Sequence, residues 1–467
     1  MKQKKKLLML SDDMRLHSGV GTMARSIIEG SVQEFDWVNI GGAVKHPEEG
    51  KVFDISKDVQ KLTGVEDASV KVYPTSGYGN PNLLRQVINE ESPDGIIHFT
   101  DPRFWGWLYN MEHEIRQIMP LMYYNIWDDL PFPHWNEPFY DCCDLLMAIS
   151  KQTYNINKWV CETYPRIEGQ NLTYVPHGID PQVYKPLSAE EKKEKEFTEF
   201  KEQVTRGNDY KFIAMYNSRN IRRKGIADLV QAWGDFCDET NLGGNAALIM
   251  HTDIVDDAGT NLQAVKNALA PDTDIIFSTS KMESRFLNYL YNMADVVCCP
   301  SSAEGFGLSH MEAVMSGTPT IATVLGGLQD QMGFKVDGEW LDIKHFSDTK
   351  PTNSTKLIST DHGEWVYPLW PKHSLQGSPM TPYIYDSRPE IKDIVKGLKY
   401  WYNMDKEART TSGLKGRIWA TTQGFTKLNM AQQVIKSVNG LFEVWKPRIM
   451  ATMVDARKPY KMVKGAL

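Results

Sequence analysis

Glu304 and Glu312 stand eight positions apart in the run SSAEGFGLSHMEAVMSGTPTIATVLGGLQ (301–329), with Gly305-Phe306-Gly307 between them. A turn of small residues lets backbone N–H groups come close to a ligand, and the start of a helix favours anions. Glu304 is expected at the mouth of that turn, and Glu312 about two turns further along the same helical face. One carboxylate can then hold one polyol and the other a second, with a phosphate between them. That chemistry suits recognition of a nucleoside-diphosphate sugar. The same two acids could also be a helix-terminal glutamate and a solvated one.

The wider string carries more information than the pair. An apolar run ending in Val296-Val297-Cys298-Cys299-Pro300 leads into EGFG, then Glu312-Ala313, Ser316-Gly317-Thr318-Pro319, TIAT and Gly326-Gly327. It resembles the E-x7-E signature of the retaining GT-B glycosyltransferases of family 4, the glycosyl transferases group 1. Upstream, FIAMYNSRNIRRKGIADLVQAW sets Arg219 five residues before Lys224 and next to Gly225. The resemblance assigns Arg219 and Lys224 to the donor diphosphate, where fixed cations would stabilise charge building on the leaving phosphate. Arg222 and Arg223 are expected as surface charges, with Arg223 able to replace either partner. The resemblance also gives Glu304 the sugar hydroxyls, Phe306 and Gly307 backbone donors to sugar and phosphate, Glu312 the ribose, and Gly326-Gly327 the phosphate side. Backbone groups around residues 278–281 would meet the nucleobase.

On the other side, SGVGTMARS puts Gly19 and Gly21 between a first strand and a helix. Alone, such a pair marks a tight turn; beside the downstream signature it becomes a loop facing the diphosphate. VPHGIDPQVYKP (175–186) resembles the family's hinge-proximal segment, with Gly178 and Asp180 structural. One departure stands out. Where the family often has His-Asp after the fourth strand, this chain has Trp127, Asp128 and Asp129. Either Trp127 packs on sugar or acceptor, or His134 takes the missing role. Asp272-Thr273-Asp274 forms a DxD, but it precedes a strand instead of ending one, so metal-independent catalysis is expected, with no cofactor beyond a UDP- or GDP-sugar co-substrate.

These residues need two positioning units. The chain has 467 residues, 41% of them hydrophobic and 24% charged, which describes two to three globular domains. Short β-type runs at 7–10, 70–73, 95–99, 121–126, 145–149 and 172–175 alternate with helical patterns, as in a parallel sheet with crossover helices. The charged stretch YKPLSAEEKKEKEFTEFKEQ follows, and a second series begins at 211–216, 246–251, 275–277, 296–299 and 319–323. The fold expected is α/β: an acceptor-side Rossmann-like domain over 1–186 facing a donor-binding one over 187–445 across a cleft. A long insertion is expected at about 332–386, and a tail, 446–467, that packs back on the first domain.

Net charge of −7 argues against indiscriminate nucleic-acid binding. The six cysteines lack metal or CxxC spacing, which fits reduced thiols in a cytoplasmic protein without a membrane span. Aromatic runs FWGWLY (104–109) and YYNIWDDLPFPHW (123–135) could stack on sugars or bases, or simply fill core. The resemblance implies a hexosyl- or pentosyltransferase that works by front-face displacement with retention. Candidate acceptors are a glycan, a lipid-linked sugar, a small metabolite or a hydroxymethylated base in duplex DNA. Residues 363–386 resemble bacteriophage-type members, which would place the enzyme in a host cytoplasm. The rival readings are a nucleotide-sugar epimerase and a non-catalytic nucleotide-sugar binder.

Overall fold

Leu7, Leu8, Met9 and Leu10 have no exposed surface, as a strand covered by helices on both faces requires. They form the middle of β1 (Lys5–Asp12). The computed structural model describes residues 4–43, 45–162, 171–346 and 359–448. Around β1 lie β2 (Phe35–Gly42), β3 (Phe53–Asp54), β4 (Val70–Pro74), β5 (Gly95–Phe99), β6 (Leu121–Asn125), β7 (Leu145–Ala148) and β8 (Asn171–Tyr174). Their order is β3-β4-β2-β1-β5-β6-β7-β8, parallel throughout apart from the short β3. The order reverses between β1 and β5, and a crevice opens at the carboxyl ends of strands at such a point.

A second sheet is built from β9 (Phe212–Asn217), β10 (Ala246–His251), β11 (Asp274–Ser278), β12 (Val296–Cys299) and β13 (Thr320–Thr323). Its switch point lies between β9 and β12. The expected two Rossmann-like halves are therefore present. β2, unforeseen in the sequence, is the main addition to the first sheet.

The segment expected as a long insertion is different in kind. A small antiparallel pair, β14 (Lys335–Val336) and β15 (Glu339–Trp340), comes first. Next, β16 (Val366–Leu369) joins the second sheet as its outer strand beside β13. A hairpin follows, β17 (Lys372–Ser378) paired with β18 (Thr381–Arg388). Pro368 is tolerated in β16 because that strand is the sheet edge. Polar, proline-bearing strands hide the apolar alternation that would have revealed them.

The chain crosses back earlier than the tail expectation. The Lys427–Val444 helix lies against the Gly19–Ser31 helix, with Lys427 Nζ 2.7 Å from Glu29 and Asn439 Nδ2 2.9 Å from Glu34. The contact is close: a Cβ on Gly30 would stand 2.6 Å from that of Ala431. Arg448 N donates to Arg116 O at 2.8 Å, and 449–467 lie outside the described residues. Among the described residues no helix is long and apolar enough to cross a membrane.

Candidate functional site

The switch point of the second sheet gathers a charged cluster. After β9 the chain makes a short 3-10 turn, Arg222–Lys224, and Gly225 follows with φ +62°. A Cβ there would stand 2.3 Å from Pro300 O, so only glycine lets this turn seat against the segment leaving β12. Ser302 N donates to Arg223 O at 2.6 Å and ties the two segments together. Lys224 Nζ then bonds Glu304 Oε1, Ser301 Oγ donates to the same oxygen at 2.9 Å, and Arg223 Nη1 lies 3.4 Å from Oε2. Burial would raise the Glu304 carboxyl, but Lys224 and Arg223 outweigh it and hold it at about 2. Burial draws Lys224 below its ordinary value, against the pull of Glu304.

Arg219 is not in this cluster. Its largely exposed guanidinium bonds Asp256 at 2.7 Å. The second cation on Glu304 is Arg223, expected on the surface but also named as able to replace either partner; three consecutive basic residues do not say which one the turn directs inward. Glu304 and Glu312 also do not share a helical face. The helix spans Leu308–Met315, so Glu304 belongs to the loop before it. Gly307, at φ +90°, ends that loop. Glu312 sits in the helix and accepts from Tyr291 Oη at 2.7 Å; burial raises its carboxyl, opposed by Tyr291 and Tyr184.

The Phe306 side chain is core, edge-on to His177 at 5.2 Å. Its carbonyl accepts from Gln331 Nε2 at 2.6 Å, and Gln331 in turn meets His310 at 2.8 Å. Gly326-Gly327 brace the loop from behind. Gly327 N donates to Glu304 O at 3.0 Å, and a Cβ on Gly326 would be 2.1 Å from the same carbonyl. The loop that presents Glu304 is thus braced by contacts of its own.

The first sheet supplies the facing wall. Ser18 caps the Gly19–Ser31 helix by accepting from Gly21 N at 3.0 Å, while its hydroxyl donates to Asp12 at 2.6 Å. Gly21 fits where a Cβ would be 2.8 Å from Asp13 O, and a Cβ on Gly19 would touch Leu308 at 3.4 Å. The N-termini of the two helices therefore meet across the cleft, and both favour negative charge. Gly305 permits a second crossing, since a Cβ there would be 2.8 Å from Ile126 O just past β6.

From that point Trp127, Asp128 and Asp129 enter the cleft. Burial raises Asp128 to about 6, with Arg223 and Lys224 opposing and Glu304 reinforcing. Asp129 is raised further by burial, Asp128 and Asp386. Trp127 Nε1 donates to Asp129 O at 2.8 Å, and the ring lies under the Arg103 guanidinium at 5.2 Å. His134 starts a turn in which Trp135 meets Tyr383 at 4.4 Å, and the buried His134 Nδ1 has no hydrogen-bond partner among the described residues. The hairpin thus spans the cleft, with Tyr385 N donating to Leu130 O at 2.8 Å. Asp386 and Ser301 had no signal of their own in the sequence. Among the described residues no group of three or more metal-ligating side chains converges, and Asp274 of the DxD accepts from Tyr210 at 3.0 Å.

Residues 196–349 match the family described as glycosyl transferases group 1. The chain carries that family's domain. It is 27% identical over 207 residues to an uncharacterized glycosyltransferase of Methanocaldococcus jannaschii, covering 44% of this chain and 48% of the relative. The chain thus spans about half the length of that curated relative. Over 94% of its length it shares the GT-B fold of a sucrose-phosphate synthase from Thermosynechococcus elongatus, at TM-score 0.65, 15% identity and 100% of that chain. The Anabaena protein HepE, solved with UDP and glucose, is similar over 93% of this chain and 100% of its own, at TM-score 0.59 and 14% identity.

Proposed function

We propose that this group 1 domain protein transfers a sugar from a nucleoside-diphosphate sugar to a hydroxyl acceptor, with retention at the anomeric carbon and without a metal. The observation that carries the reading is the Lys224–Glu304–Arg223 cluster at the second switch point, opposite the Gly19 helix N-terminus. In this reading Glu304 orients the sugar hydroxyls, and Lys224 with Arg223 offsets charge as the diphosphate leaves. The two helix N-termini add fixed dipoles at the same place. Arg219, largely exposed but held by both oxygens of Asp256, would turn from that pair onto the diphosphate. Glu312, already bonded by Tyr291, takes the ribose. The leaving phosphate itself assists removal of the acceptor proton on the front face. UDP is favoured as the nucleotide by the UDP-bound Anabaena neighbour.

Incubation with a panel of labelled UDP- and GDP-sugars, with and without acceptors, tests this. A transferase releases nucleoside diphosphate when the right acceptor is present and retains the anomeric configuration. Sugar isomerisation without release would instead identify an epimerase, and binding without turnover a sensor. Either result overturns the proposal.

A further inference from the structure

The carboxyl ends of β4, β5 and β6 carry aromatic side chains that the donor reading leaves without a role. Phe104 is 54% exposed and lies flat on Tyr78, with ring centroids 4.9 Å apart and planes at 8°. Behind them Trp105 is fully buried, edge-on to Tyr78 at 5.7 Å, and Trp107 Nε1 donates to Tyr78 O at 3.2 Å. An exposed phenylalanine held this firmly is a prepared surface, since a loose loop would leave its ring unstacked. The neighbouring Arg103 leads from this pair to Trp127, whose next residue, Asp128, feels the charges of Arg223 and Glu304. These residues thus lead from the carboxyl ends of β4 and β5 toward the charged cluster.

Charge along the row limits what it can receive. Arg103, the cation of the row, is bound to Asp101 and so already committed. Asp12 stands near Tyr78 and Asp128 near Arg103. A phosphate group or a DNA backbone would meet acids here, and its affinity would suffer accordingly.

We infer that Phe104, backed by Tyr78 and continued by Trp127, forms a stacking platform for an uncharged saccharide, which makes the acceptor a neutral glycan. The platform's role in transfer rests on the donor reading above. Its ring-binding function can be read separately. The full chain is titrated with maltoheptaose and with cellohexaose, without nucleotide sugar, and tryptophan fluorescence is followed. Glucose 6-phosphate and a duplex DNA oligonucleotide at low salt form the opposing arms. Saturable quenching by a neutral oligosaccharide is expected, weakened roughly five- to ten-fold by Phe104→Ala and restored by Phe104→Trp. With an active donor, the same Phe104→Ala change should appear in the acceptor KM and not in kcat. Quenching by neither oligosaccharide, quenching indifferent to Phe104→Ala, or binding confined to glucose 6-phosphate or DNA overturns the inference. Nucleotide-sugar binding without saccharide binding sinks the platform alone. Saccharide binding without nucleotide-sugar binding sinks the donor reading and keeps the platform.

Discussion

The two walls of the cleft occupy equivalent places, one between β9 and β12, the other between β1 and β5, yet they are made of different material. On the second sheet each charge has a defined partner: Glu304 has Lys224, Arg223 and Ser301, and Glu312 has two tyrosines. On the first sheet Asp128 and Asp129 lie close together with raised carboxyls, beside rings left open to solvent. The first arrangement is preorganised for one kind of ligand. The second sets two crowded acids beside aromatic rings. Within a single fold, then, one half can be specified tightly while the other stays adaptable, because the sheets impose only where the strand ends point.

The contrast breaks most sharply at Lys224. Lys224→Ala should lower sugar transfer by about 10²–10³-fold or more, measured as initial rates of nucleotide release, because it removes a fixed cation from the leaving group. Near-normal product formation would remove the site assignment. Next comes the backbone that holds the cluster. Gly225→Ala places a side chain at φ +62° and against Pro300 O, and should cost about 2–4 kcal/mol in urea unfolding. A variant as stable as the parent would show that the turn does not need this approach.

The walls should also respond oppositely to pH. Glu304 ionises at about 2 in the fold against an ordinary 4.5, so its stabilisation is complete above about pH 4.5 and is lost as pH falls toward 2. The effect is on the order of 2–3 kcal/mol and should be absent in Glu304→Gln. Asp128 behaves in reverse. Its carboxyl is raised from 3.8 to about 6, so the fold loses stability as pH rises through that interval. Asp128→Asn should then raise the melting temperature at pH 7, by the equivalent of about 1–3 kcal/mol, with the gain vanishing below pH 4. Equal pH profiles for variant and parent would contradict this. The smallest expected difference separates two arginines. Arg223→Ala, which also loses its 2.6 Å bond to Ala303 O, should cost about 1–3 kcal/mol, whereas Arg219→Ala should stay within about 1 kcal/mol. The reverse order in thermal melts would return Arg219 to the structural cluster.

Much of the fold was legible because buried parallel strands are short apolar runs. Residues 95–99, 246–251 and 296–299 coincide with β5, β10 and β12. β16 and the β17–β18 hairpin were hidden, since an edge strand with proline and a solvated hairpin carry no apolar period. The same reason concealed Asp386 as a neighbour of Asp129.

The amino-acid order by itself determined the chemistry on offer: two glutamates, a basic run, glycines at strand ends, and a tryptophan and two aspartates where the resemblance leads one to expect histidine and aspartate. Only the tertiary structure decided that Arg223, and not Arg219, stands on Glu304, that Glu304 and Glu312 belong to different elements, and that Asp128 faces the cations from the opposite sheet. The reason is geometric. Adjacency in sequence constrains a side chain to within a turn or so, while a contact between strand ends nearly a hundred residues apart depends on sheet order and on glycines small enough to let two backbones touch.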